Sequence, residues 1–317
     1  MNADPYKVNS LTNLDTADPV EGKVIWDPVR SIWNSMMFGA AFVLGPLYFS
    51  LDAFAAFLIT SFITLCAGHS VGFHRRLIHR SFDCSKSLER ILVWLGTAVG
   101  MGGPLWTIRL HDSRDWSQRQ PDCHAFLRHE KGLLMDGLLY LHGKLILKNP
   151  PGFDPGPGIG DDPFYLFLEK TWMLHQIPVG ILLYFLGGWD WVVWGVFVRV
   201  AACTTMHWFI SYFAHTQGQQ DWLVEGAVIQ AYNVPSMAIP TMGESWHSNH
   251  HAFPSSAKHG LYPGQIDLGW YFLCILEKLG LVWDIKLPSN LPPRPGIRPV
   301  TERALSVASE GQKDLCL

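Results

Sequence analysis

The chain reads as an all-α integral membrane protein of about four transmembrane helices, with a cytoplasmic histidine-rich helical cap. Three observations predict this class. Of 317 residues, 48% are hydrophobic and only 16% charged, against about 25% charged in an ordinary soluble chain. The apolar residues gather in segments near the roughly 20 residues that a spanning helix needs. Histidines cluster directly beside those segments, in Gly72–Phe82 and in Gly243–Pro254. Fourteen tryptophans suit a molecule with two membrane interfaces, where indole rings prefer to sit. A net charge of −3 with no basic domain gives no ground for nucleic-acid binding. Six scattered cysteines, with no CxxC pair, read as reduced thiols.

Taken in order, residues 1–30 are expected to form a polar tail without a cleavable signal peptide, since Met1–Val24 carries four acidic residues. Residues 31–290 form the membrane domain. Ser31–Ser50 and Ala53–Cys66 are apolar and predict two helices joined by a tight turn near Tyr48–Asp52. Lys23 and Arg30 precede this hairpin and Arg75, Arg76 and Arg80 follow it, so the positive-inside rule puts both outer ends in the cytoplasm. Ile91–Ile108 is apolar but carries Gly96, Gly100, Gly102, Gly103 and Pro104 between basic flanks. A broken or re-entrant segment resolves that conflict, with a full span as the alternative. Residues 109–170 are the most polar region, with a Pro/Gly/Asp loop at 150–163. Trp172–Leu186 and Trp189–Phe213 supply two more spans, separated by Gly187-Gly188. Leu268–Trp283 is amphipathic and reads as a helix lying at the interface. Residues 291–317 are expected to be a loose tail. On this topology every histidine cluster and both termini lie on the cytoplasmic side.

The clusters carry the chemistry. His247, His250 and His251 stand at i, i+3 and i+4, which on a helix puts them on one face within about 6 Å. His74 and His79 are five residues apart, at the end of an apolar segment. Neutral imidazoles each offer one lone pair and no charge, which suits a transition metal. The bland alternative is a polar surface cluster, and two clusters bordering membrane-length segments weigh against it.

His-Arg-Arg-Leu-Ile-His at 74–79 resembles the first histidine box of the integral-membrane fatty acyl desaturases, the acyl-CoA and acyl-lipid histidine-box family. Trp-His-Ser-Asn-His-His-Ala-Phe-Pro at 246–254 resembles the last box, and Ser-Tyr-Phe-Ala-His215 the isolated histidine. The resemblance covers residues 25 to 290 and implies metal ligands at His74, His79, His111, His215, His247, His250 and His251. It also implies two irons that activate O2 and remove two hydrogens from adjacent methylenes of an acyl chain. The middle box departs from the pattern. Where the family has HxxHH, this chain has His111-Asp112-Ser113-Arg114-Asp115. Only His111 survives; Asp115 is expected to supply a carboxylate ligand, with Arg114 beside it as its orienting partner. The family's water-holding asparagine is Ser211 here. His207, one turn before Ser211, is a candidate substitute ligand or a core histidine. Glu244 and Asn249 are expected behind the ligands, with a solvated glutamate as the alternative. His69 is read as structural, His124 and His129 as surface residues, and His142, His175 and His259 as lacking ligand spacing. Arg199, inside the fourth apolar segment, is expected to pair with an acid or to touch substrate.

The resemblance implies an acyl desaturase acting on a chain carried by CoA, a carrier protein or a lipid. A hydroxylase or monooxygenase uses the same oxidant and is the enzymatic alternative; a non-catalytic lipid-binding descendant is the other. No haem, flavin or Fe–S motif occurs, so electrons are expected from a separate protein such as cytochrome b5, ferredoxin or rubredoxin. No HExxH occurs, which argues against a zinc protease.

Overall fold

A computed structural model describes residues 10–291 and 294–310, and within them the chain is mostly helical. Helix α1 (Pro28–Leu47) starts three residues before the expected Ser31: Asp27 caps it by accepting from the Arg30 N–H at 3.3 Å, and Pro28 occupies the first turn, where no N–H is needed. After a turn at 48–50, Ser50 caps α2 (Leu51–Ser61), which continues without a break through Phe62–Ile78 in wide π-type turns. The last of these joins the His79 N–H to the His74 carbonyl at 3.1 Å. A π-type hydrogen bond joins residues five apart, so it brings both histidines of the first pair to neighbouring places on the helix.

The extension of α2 lies against α3 (Lys86–Ala98). Gly68 and Gly72, four apart, make the contact: a Cβ at Gly68 would stand 2.3 Å from the Gly96 nitrogen, and one at Gly72 2.6 Å from the Leu92 carbonyl oxygen. Such close backbone approach is the small-residue packing typical of membrane helices. The apolar stretch at 91–108 is broken, as expected. Helix α3 ends at Ala98, Gly100 takes a left-handed conformation (φ +87°), and α4 (Pro104–Gln118) begins afresh. The Glu169 carboxylate, from α6 (Pro163–Thr171), accepts from the Leu105 and Trp106 N–H groups and caps α4.

Helix α5 (Gly132–His142) precedes α7 (Gln176–Val192) and α8 (Arg199–Thr216). Helix α7 is interrupted at Gly187 and Gly188, the latter at φ +69°. Just beyond, the Trp191 indole donates to Asp52 at 3.0 Å, so the α1–α2 turn and the Gly187–Gly188 break meet at one end of the molecule. Among the described residues two continuous helical stretches, Leu51–Ile78 and Pro163–Thr216, are long and apolar enough to cross a membrane. Large apolar side chains stand outward along these helices and α1, with Phe42, Leu51 and Phe185 each at least 80% exposed.

Arg199 is fully buried, but no acid meets it. Its guanidinium donates to the Gly195 and Ala98 carbonyls, Thr64 Oγ1 and Gln176 Oε1. Four neutral acceptors satisfy it, and the expected ion pair is absent among the described residues. It ties α2, the end of α3 and α7 to α8.

The flanks expected to be tails pair with the body. Strand β1 (Leu11–Thr12) pairs with β5 (Gly152–Phe153), and β2 (Gly22–Trp26) with β4 (Gly143–Leu147), all antiparallel. β3 (Asp83–Cys84) pairs with β7 (Val282–Trp283), and β6 (Trp222–Val224) with β8 (Ile297–Pro299). Helix α11 (Glu302–Glu310) follows, and Arg303 bonds the fully buried Asp221 twice at 2.7 Å. These partners lie far along the chain, so local polarity gave no sign of them. Residues 1–9 and 311–317 lie outside the described residues. Helix α9 (His247–Ala252) sits in this cap, and the amphipathic helix α10 (Leu268–Lys278) ends before Gly280 rather than at Trp283. Cys66, Cys84, Cys123 and Cys203 are free and buried, whereas Cys274 is disulfide-bonded, against the reading of all six as thiols.

Candidate metal centre

Four separate elements deliver histidines to one place. The end of α2 and the residue after it bring His74 and His79, α4 brings His111, α8 brings His215, and α9 brings His247, His250 and His251. They form two groups: His74, His79, His111 and His250, then His215, His247 and His251, the donor atoms of each lying within 4.8 Å of one another. The three imidazoles of the last box thus do not share one metal position. Helix α9 straddles both groups, with His250 turned to the first and His247 and His251 to the second.

In the first group His74 Nε2 lies 3.2 Å from both His111 Nε2 and His79 Nε2. The opposite nitrogens both face carboxylates. His111 Nδ1 donates to Asp112 Oδ1 at 3.1 Å, and His74 Nδ1 lies 2.5 Å from Glu244 Oε2 without the geometry of a hydrogen bond. With Nδ1 given to Asp112, neutral His111 turns its Nε2 lone pair toward His74 Nε2, a convergence that suits a cation placed between them. In the second group His251 Nε2 and His247 Nε2 are 3.1 Å apart. His215 Nδ1 donates to the Ser211 carbonyl at 2.8 Å, leaving its Nε2 buried with no partner. This donor set fits transition metals such as iron.

Burial holds His79, His247 and His250 well below the usual imidazole pKa, and takes His251 down to about 4. These imidazoles are neutral and ready to ligate at pH 7. His111 goes the other way: burial lowers it, but the hydrogen bond and charge of Asp112 outweigh that, and its pKa ends above the ordinary value.

A buried network stands behind the first group. Arg75 is fully buried and donates to Glu244 Oε1 at 2.6 Å and to Asp267 Oδ1 at 2.9 Å. Burial raises the Glu244 pKa, but the Arg75 charge and then His259 and Ser70 outweigh it and hold the carboxyl below the usual range. Glu244 is therefore a buried, charged carboxylate facing His74, not a solvated residue. His259, set aside for want of spacing, packs 4.7 Å from His250 and could join His74 and Glu244 in a third, overlapping group. It reaches the site from a loop, so only a pattern beyond helical spacing could have marked it. The Asn249 side chain bonds the His259 carbonyl, Gln265 and Asn233, which fixes α9 in the cap.

The altered middle box departs from expectation. Asp115 joins neither group: Oδ2 pairs with Arg119 at 3.2 Å and Arg294 at 3.5 Å, and Oδ1 lies 4.0 Å from His251 Nδ1. Arg114 does not hold Asp115. It donates instead to His129 Nε2 at 3.3 Å, because one helical position turns the two side chains apart. His129, read as a surface residue, is buried; its Nδ1 donates to Asp136 at 2.7 Å and its ring stacks on His215. His207 is bonded to the Tyr140 hydroxyl at 2.6 Å and lies outside both groups. Ser211 serves through its carbonyl, while its hydroxyl is buried and unpartnered.

Both groups border a cavity of about 130 Å³ whose apolar wall includes Leu65, Ile78, Met101, Trp106 and Ile210. It shares Trp106, Leu110, Arg114 and Tyr140 with an outer cavity of about 390 Å³ between α4 and β4.

No family model matches the chain. It is 38% identical over 255 residues to an sn-1 stearoyl-lipid 9-desaturase of Anabaena variabilis, covering 78% of this chain and 89% of that protein. Over 283 residues it is 32% identical to an acyl-CoA 5-desaturase of Anemone leveillei, covering 86% and 85%. Over another 283 it is 32% identical to a chloroplastic palmitoyl-monogalactosyldiacylglycerol delta-7 desaturase of Arabidopsis thaliana, covering 84% and 73%.

Proposed function

The chain belongs to the fatty acid desaturases, oxidoreductases of lipid metabolism, and from that premise we propose that it desaturates a fatty acyl chain with O2 at a di-iron centre on the cytoplasmic face of a membrane. The observation that carries this is the pair of histidine groups with converging ring nitrogens beside an apolar cavity. His74, His79, His111 and His250 would hold one iron and His215, His247 and His251 the other. Bound there, iron supplies the oxidising power that an unactivated C–H bond demands.

The protein does the rest. The apolar wall takes the methylene chain out of water and aligns it with the metals. Asp112 fixes the tautomer of His111, so that its Nε2 faces inward, and the Glu244 carboxylate stands beside His74 Nδ1. Arg75 and Asp267 hold Glu244 in turn. Electrons come from a separate donor protein. Residues 31–290 are the desaturase body, crossing the membrane four times: α1, the α2 stretch, and the two parts of 163–216 on either side of Gly187–Gly188. The meeting of Asp52 with Trp191 supports this, since it brings both outer turns to one end.

The test is fatty-acid analysis of cells expressing the chain or its His250→Ala variant. The expected product is an acyl chain lighter by two hydrogens, absent in the variant, which should also lose bound iron. A product heavier by one oxygen would make this a hydroxylase. No change in any acyl chain, with iron-loaded protein present, would make it a binding protein.

A further inference from the structure

Two histidines on the metal cavity belong to neither metal group. His69, on the α2 stretch, and His207, on α8, line that cavity beside the ligand imidazoles. Their rings meet edge to face, with centroids 4.9 Å apart. His69, read as structural from its place on the helix, makes no hydrogen bond among the described residues; its neighbours are the rings of Phe73 and His207. His207 is bonded through Nδ1 to the Tyr140 hydroxyl at 2.6 Å. Whichever of these two gives the proton, the pair keeps one hydrogen unused. One turn further along α8, the Ser211 hydroxyl is buried on the same cavity without a partner.

These groups stand where an acyl chain has to lie. Tyr140 borders the metal cavity and the outer cavity alike, and Leu65, Met101 and Ile210 share the inner wall with the polar patch. A plain methylene chain packed against that patch offers it no partner and excludes the water that would. A hydroxyl on the chain does offer one. It both gives and takes a hydrogen bond, and a neutral imidazole likewise carries one donor and one acceptor. A site built to bond a substrate hydroxyl discriminates strongly against the analogue that lacks it, because its own polar groups are then left unpaired.

We propose that His69, the His207–Tyr140 pair and Ser211 form a polar subsite for a hydroxyl on the acyl chain, so that the substrate is a hydroxylated acyl chain rather than a plain one. The inference rests on the reading of this cavity as the acyl site. His207 precedes His215 by eight residues, about 12 Å along a helix. The hydroxyl therefore lies apart from the methylenes presented to the metals: it is recognised and kept, while the two hydrogens leave from carbons elsewhere on the chain.

The experiment is equilibrium binding of radiolabelled stearic acid, and of a series of stearic acids each carrying one hydroxyl at a different carbon, to the purified full-length protein in detergent, with empty micelles as the blank. At least one hydroxylated member should bind about tenfold or more tightly than stearate. His69→Leu and His207→Leu should bring the two close to parity, with iron content unchanged because neither residue belongs to a metal group. His207→Gln, which keeps a donor, should retain most of the preference, and Ser211→Ala, a small change in packing, should lower it. If no member of the series outbinds stearate in wild type, or if the preference survives unchanged in the Leu and Ala variants, the proposal is overturned. Feeding the same acids to cells expressing the chain separates this from the desaturase reading. The expected product is the hydroxylated chain lighter by two hydrogens. Stearate desaturated by a protein that shows no binding preference would remove the subsite and leave the desaturase. A clear preference with no chain made lighter would leave a hydroxyacyl-binding site and end the desaturase reading.

Discussion

Asp115 lies 4.0 Å from His251 Nδ1 while Arg119 and Arg294 divide its other oxygen. Burial raises its pKa, but Arg119 and then His251 outweigh this, so the carboxylate stays charged below the usual range. Asp115→Asn keeps the shape and removes the negative charge 4.0 Å from His251. Loss of such an outer partner typically weakens metal binding by about 10- to 100-fold. Metal analysis of Asp115→Asn should therefore show the first iron retained and the second depleted; full occupancy of both would deny Asp115 a part in the site. Protons act on the same histidines. His79, His247, His250 and His251 have pKa values lowered by burial, the last to about 4, whereas in the unfolded chain they titrate near about 6.5. Below that pH the unfolded state binds more protons, so folding stability falls as pH falls. His111, raised, acts in the opposite sense but is one against four. The melting temperature of the metal-free protein should drop between pH 7 and pH 5, and a flat profile would mean these imidazoles are not buried neutral.

Among the elements, the contact between the extended α2 and α3 matters most, because α3 leads through the Gly100–Gly103 break into α4 and so into His111. Gly68 and Gly72 let the two backbones touch, and neither has room for a Cβ. Gly72→Ala would press on the Leu92 carbonyl from 2.6 Å, and overpacking of this kind costs about 1–3 kcal/mol. The expected result is a lowered melting temperature together with reduced iron in the first group, as α3 moves away and carries α4 with it. A variant of unchanged stability and iron content would show that the contact is not what registers His111. Helix α9, only six residues long, is positioned differently: Asn249 in its middle is tied to Asn233, Gln265 and the His259 carbonyl. Those bonds, rather than helix propensity, hold its two faces toward two metal positions.

At the scale of the whole molecule, the proposed topology sets both outer turns on one side of the membrane and the histidines on the other. Single cysteines in place of Asp52 or Asp190 should react with an impermeant thiol reagent added outside intact cells. Cysteines in place of Arg80 or Lys258 should be protected until the cells are opened. The reverse pattern would put the site on the wrong face for a cytoplasmic electron donor.

Much was legible in the order of residues alone. His111 and His215 stood out only through the family resemblance, whereas the break at Gly100–Gly103, the interruption at Gly187–Gly188 and the one-face spacing of His247, His250 and His251 follow from local rules of glycine, proline and helical period. Such features depend on neighbours within about five positions. What the sequence could not settle is how distant elements meet. The split of His247, His250 and His251 between two groups depends on α2, α4 and α8 arriving from either side of α9. The burial of His129 and His259 and the separation of Arg114 from Asp115 are likewise matters of packing. So is the pairing of both polar flanks with strands more than seventy residues away. Local periodicity carries no information about such partners, because the energy that selects them is shared between segments and appears only when they are brought together.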